Sequence, residues 1–119
     1  MDTTASEIDK LIEEIENFVR ERNWERYHRP KNLAISISIE AGELLEHFQW
    51  EDKEKEEFTP DEIKEISYEI ADVFIYLLHL CTKLGIDIIG ASFEKLKKNR
   101  EKYPVEKFYG HYERPEGGS

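Results

Sequence analysis

The chain has 119 residues, enough for one domain with a modest core, and 37% of them are charged against 39% hydrophobic. Gly and Pro are sparse before residue 104, which favours a helical protein over a disordered or β-rich one. A net charge of −10 argues against a nucleic-acid duplex as the main partner, because phosphates would be repelled; small polyanions remain open if a metal or local basic cluster screens them.

Ile8, Leu11, Ile12, Ile15, Phe18 and Val19 recur at threes and fours, so the first segment is an amphipathic helix. Ser6 is its expected N-cap, with Asp9 at the third helical position. The helix should run to about Trp24 and break before Pro30, whose preceding residue avoids helical angles.

The second segment is ambiguous. Ala34–Ile39 alternates apolar and polar residues like a strand. Extended to Trp50, however, Leu33, Ile37, Ala41, Leu44 and Phe48 form one helical stripe, and Ile35 and Ile39 a second. At about 100° per residue, Ser36, Glu40, Glu43 and His47 fall within one narrow arc. One mostly buried helix accounts for every position, whereas a strand accounts for six.

The charged run EDKEKEEFTPDE then reads as a solvated loop. Thr59-Pro60-Asp61-Glu62 is a strong helix start: a Thr cap, Pro at the first position and Glu at the third. The third helix should continue to about Lys83 and stop at Gly85. Asp87 should cap a fourth helix that ends near Arg100. The expected architecture is an all-α four-helix bundle in one domain over residues 1–104, followed by a mobile tail, 105–119. The single Cys81 cannot form an intramolecular disulfide, no N-terminal stretch has a signal peptide's layout, and the longest apolar run, Val73–Cys81, is too short to span a bilayer. These features lead us to expect a cytoplasmic protein with no membrane partner.

The third helix is apolar almost all round, yet Glu65, Glu69, Asp72 and Tyr76 share one arc at four, three and four. Two buried helices thus each carry an acidic pair three apart, Glu40/Glu43 and Glu69/Asp72. Either pair alone is ordinary for a solvated face. Both interrupting apolar helices is not, since buried like charges are costly unless protonated or neutralised by a cation. Four carboxylates with no thiolate suit Mg²⁺ or Mn²⁺. A di-iron bundle would need Glu-x-x-His pairs, and these are missing. Lys95, Lys97, Lys98, Arg100 and Lys102 form a basic cluster on the fourth helix, which either complements the helix dipole or meets phosphates. Trp24 and Trp50, beside Tyr27, His28 and Phe48, are either core edges or an aromatic wall for a base.

ERNWERYHRPKNL, EAGELLEHFQW, EIADVFIYLL and KLKKNREKYP, in that order, resemble the MazG-like all-α nucleoside triphosphate pyrophosphohydrolases, closest to the dCTP pyrophosphatase branch. The resemblance implies Mg²⁺-dependent cleavage of a nucleoside triphosphate, deoxy in preference, to the monophosphate and pyrophosphate. It implies Glu40, Glu43, Glu69 and Asp72 as metal ligands. Trp24, His28, Asn32, Trp50 and Tyr76 would surround the nucleoside, and Lys95, Asn99, Arg100 and Lys102 would meet phosphates. Glu43 or Glu46 would accept the attacking water's proton, although Glu46 lies off the acidic arc and its plainer reading is a solvated side chain. The resemblance further implies a homodimer or homotetramer in which the bundle borrows a partner's helices. One departure stands out: Ile15 falls where a base-contacting histidine is expected, which puts cytosine preference in question. The competing readings are a non-catalytic acidic interaction module and a metal-dependent phosphohydrolase of another nucleotide.

Overall fold

The computed structural model describes residues 3–111, with side chains from Glu7 onward; residues 112–119 of the expected tail lie outside the described residues. The chain divides into two compact units between Ile86 and Asp87. The first holds α1 (Thr3–Glu21), α2 (Pro30–Glu46) and α3 (Pro60–Leu84); the second holds α4 (Ile88–Lys102) and the helical turn α5 (Val105–Phe108). No strand occurs among the described residues, so Ala34–Ile39 is helical despite its alternation. Among these residues, no single helix is long and apolar enough to cross a membrane.

In the first unit α3 is the central element, with α2 packed along it and α1 packed against it. Ile15 and Val19 of α1, Leu33 of α2, and Ile66, Leu78 and Cys81 of α3 form the buried core, and Leu33 and Leu78 are fully enclosed. α3 begins as its sequence signals: Thr59 Oγ1 accepts from the Glu62 N–H at 3.1 Å, and the Glu62 carboxylate accepts from the Thr59 N–H at 2.8 Å. It ends at Gly85, whose φ of 69° is costly for any residue with a Cβ. There the Ile86 N–H reaches the Cys81 carbonyl at 2.8 Å, closing the last turn.

The other boundaries differ from expectation. α1 starts at Thr3, so Ser6 lies within the helix rather than capping it, and Asp9 falls beyond the first turn. Its end comes earlier, at Glu21, because Asn23 adopts φ 54°, a left-handed conformation that Asn tolerates better than most residues. The Asn23 N–H bonds the Arg20 carbonyl and the Trp24 N–H the Val19 carbonyl, both at 3.0 Å. That closure turns Trp24 out of the helix and back along it. α2 stops at Glu46, short of Trp50. The charged loop contains a 3-10 turn, Lys55–Glu57, and Lys53 pairs with both Glu51 and Glu62. In the second unit Asp87 occupies the cap position of α4 without a side-chain cap bond, and the segment after Pro104 opens with α5, whose Phe108 packs edge-on against Tyr103 at 5.1 Å.

The largest departure concerns burial. α2 and α3 are not mostly enclosed: Ile63, Ile70, Phe74 and Leu77 on α3, and Ile35 and Ile39 on α2, are exposed. Two neighbouring helices can cover only part of a helix that is apolar all round, so the remaining stripe stays bare.

Removing the α3 cap tests this account of its start. Thr59→Ala should lower unfolding free energy by about 1 kcal/mol in a denaturant titration, with the slope unchanged. An unchanged midpoint would contradict it.

Candidate active site

The side-by-side packing of α2 and α3 brings their acidic arcs together. Carboxylate oxygens of Glu40, Glu43 and Glu69 lie within 4.8 Å of one another. One oxygen each of Glu40 and Glu69 is buried and makes no hydrogen bond. Unpaired buried carboxylate oxygens are costly, and the protonation equilibria register that cost. Glu40 is raised from 4.5 to about 7, first by burial, then by the close approach of Glu43, then by the charges of Asp72 and Glu69. Glu69 is also raised, by burial first and then by Glu43 and Asp72, with His47 opposing weakly. Asp72 thus stands within electrostatic reach of both, although it lies outside the tight triplet. Hard oxygen donors, orphaned buried atoms and mutual repulsion are what a divalent cation would satisfy, so these residues fit a hard divalent cation.

Beside the acidic cluster lies a cavity of about 310 Å³. α1 contributes Ile15, Phe18 and Val19 to its wall, and the turned-out Trp24 and His28 close one side. α3 contributes Asp72, Ile75, Tyr76 and His79, which recur at three, one and three and so share a face. Asp72 therefore belongs to both the cavity and the acidic cluster. Trp24 is fixed by edge contact with Phe18 at 5.8 Å and by a tilted approach to His28 at 6.4 Å. His28 meets His79 edge-on, with ring centroids 5.1 Å apart. His28 is pushed down by burial and the Lys83 charge; His79 is pushed down by burial, then by His28 and Lys83.

The structure thus gathers Glu40, Glu43, Glu69, Asp72, Trp24, His28 and Tyr76. Within the first unit, Asn32, Trp50 and Glu46 stand apart from these. Asn32 is exposed and donates from Nδ2 to the Tyr27 carbonyl at 3.0 Å, tying the turn before α2 to that helix rather than lining the cavity. Trp50 is 84% exposed because α2 ends before it, and it lines a separate polar crevice with Glu46, His47 and Glu62. Glu46 is exposed and outside the carboxylate triplet, in keeping with its plainer reading. Glu65 is exposed as well. Lys95 and Asn99 line a crevice of the second unit with Ile88 and Leu96; Arg100 is exposed, and the Lys102 ammonium lies 5.9 Å from the Tyr103 ring centre. Sequence reasoning missed His79. Its signal was present: continuing the arc Glu65, Glu69, Asp72, Tyr76 by three more residues reaches it.

The profile of the MazG-like family matches residues 35–114. The chain belongs to the MazG-like family. It is 36% identical over 105 residues to dCTP pyrophosphatase 1 of Rattus norvegicus and 35% identical to that of Homo sapiens, in each case over 86% of this chain. The chain spans about 60% of the length of these curated relatives. Among solved structures it is similar to a pyrophosphatase from Archaeoglobus fulgidus, with 46% identity, a TM-score of 0.73, and coverage of 82% of this chain and 93% of that one. The all-α fold expected from sequence is shared with that neighbour.

Glu40 also makes stability depend on pH. Its folded-state pKa lies above its ordinary value, so the folded chain holds the extra proton more tightly. Its contribution is therefore full below about 4.5 and is lost as pH rises to about 7. With chelator present, wild type should lose stability relative to Glu40→Gln across that window in denaturant titrations, and Mg²⁺ should reduce the difference. Parallel pH profiles for the two proteins would contradict the assignment.

Proposed function

We propose that the protein is a metal-dependent nucleoside triphosphate pyrophosphohydrolase, releasing a nucleoside monophosphate and pyrophosphate. The observation that carries this reading is Asp72, which joins a carboxylate cluster with two orphaned buried oxygens to an aromatic cavity of nucleoside size. The curated relatives that are named for dCTP hydrolysis support a deoxynucleotide as substrate.

Glu40, Glu43, Glu69 and Asp72 would hold Mg²⁺ or Mn²⁺, which when bound neutralises phosphate charge and polarises the phosphoryl group under attack. Trp24 and His28 present ring faces and edges to the nucleoside, and Tyr76 lines the wall one turn from Asp72. A water attacks the α-phosphorus in line, its O–P bond forming as the bond to the bridging oxygen breaks, and pyrophosphate departs. Glu43 is the exposed member of the triplet and the residue we assign to accept the water's proton. Lys95, Asn99, Arg100 and Lys102 remain candidates for phosphate contact. The bare apolar stripe on α2 and α3 supports a homodimer or homotetramer in which a second copy covers it.

Incubation with ribo- and deoxynucleoside triphosphates, with Mg²⁺ or with chelator, should give metal-dependent monophosphate and pyrophosphate in equal amounts. Glu69→Gln should remove that turnover, by at least about a hundredfold, while the helical circular dichroism is retained. No turnover of any triphosphate would overturn the catalytic reading and favour an acidic interaction module. Light scattering should give a mass of two or four chains; a monomer at micromolar concentration would contradict the assembly.

A further inference from the structure

The polar groups at one end of the cavity have no use in the fold. His79 is 4% exposed, yet neither of its ring nitrogens makes a hydrogen bond, and the Nδ1 of His28 is likewise buried and unpartnered. The two imidazoles meet edge-on at a cavity whose wall is apolar apart from these histidines, Asp72, Tyr76 and the Trp24 indole N–H. A purely structural histidine at this depth would have found a backbone or side-chain partner, because leaving buried polar atoms unpaired costs stability. A planar ligand with apolar faces and a polar edge supplies what is missing. Among the parts of a nucleotide, only the base has that form.

We propose that His79, steadied by His28, reads the hydrogen-bonding edge of the nucleobase and so sets base preference. The inference rests on the proposed nucleotide reading and extends it to a residue that the metal chemistry does not use. Burial and the nearby Lys83 charge hold both imidazoles in the neutral form, in which one ring nitrogen donates and the other accepts. His79 also borders a second, polar crevice lined by Glu16, Arg20 and Lys83. Either tautomer keeps one donor and one acceptor on the ring, so the imidazole can meet a base edge of either polarity. A ring at this position therefore discriminates by hydrogen bonding, whereas the facing Ile15 can only shape the space.

The test compares wild type with His79→Phe, which keeps a planar ring and removes both nitrogens. KM and kcat are measured for dATP, dGTP, dCTP and dTTP, and calorimetric Kd for the matching monophosphates. The preferred base should lose roughly tenfold or more in KM and Kd, with kcat changed far less, and the spread among the four bases should narrow. His79→Gln, which restores a donor and an acceptor, should recover part of the preference. Unchanged base ratios in a folded His79→Phe, with turnover intact, would overturn the role of His79 and leave the hydrolase reading standing. Base-selective monophosphate binding lost in His79→Phe, without any turnover by wild type, would do the reverse. Should His79→Phe fail to fold, the imidazole ¹⁵N resonances of wild type decide. A shift of the His79 nitrogens on saturation with the best-bound monophosphate supports the proposal, and invariance overturns it.

Discussion

Repulsion among carboxylates that α2 and α3 hold together organises this molecule. The three triplet oxygens sit within 4.8 Å, two of the glutamates each keep a buried oxygen without a hydrogen bond, and one glutamate titrates near neutrality. A fold selected only for stability would place apolar side chains there, as it does at Leu33 and Leu78 on the same helices. Relaxing the repulsion from within would require a Lys or Arg on the facing arcs, and Ser36, His47, Glu65 and Tyr76 occupy those arcs instead. On the proposed reading, the strain is directed outward, toward a cation and the phosphates it accompanies.

The cavity depends on the same helix packing but on a different local device. A left-handed Asn23 ends α1 three residues before Trp24, and the bond from the Trp24 N–H to Val19 folds the indole back over the wall that α1 shares with α3. Had α1 continued to Trp24, the ring would project from the helix about 140° round from Val19, away from the cavity wall. Aromatic wall and acidic cluster are thus set by separate elements and joined only at Asp72 and its helix face. On the proposed reading, that separation lets the metal chemistry remain constant while the base-facing residues vary.

Periodicity made much of this legible in the sequence. Extending the stripe of Leu33 to Phe48 correctly overrode the strand-like Ala34–Ile39, because a pattern of several turns outweighs six alternating residues. The Glu40/Glu43 and Glu69/Asp72 spacings put each acidic pair on one face of its helix, and the packing of α2 on α3 brings Glu40, Glu43 and Glu69 together. What was less legible lay where chain direction changes: Trp50 sits beyond α2 and Asn32 in its first turn, and their surroundings depend on where α2 begins and ends. His79 was hidden for another reason. It lies in the run Val73–Cys81, where an isolated histidine resembles core, and only its buried, unpartnered nitrogens distinguish it. The burial of α2 and α3 was overestimated because an all-round apolar helix implies complete cover, which one copy of the chain does not supply.

The most direct test of the central claim is a crystal structure of the protein soaked in Mn²⁺, with anomalous difference density measured at the manganese edge. The account predicts a peak between α2 and α3, within about 2.3 Å of oxygens from Glu40, Glu43 and Glu69, and no comparable peak on the other acidic surfaces. Strong peaks only elsewhere, or an empty cluster at saturating Mn²⁺, would contradict it.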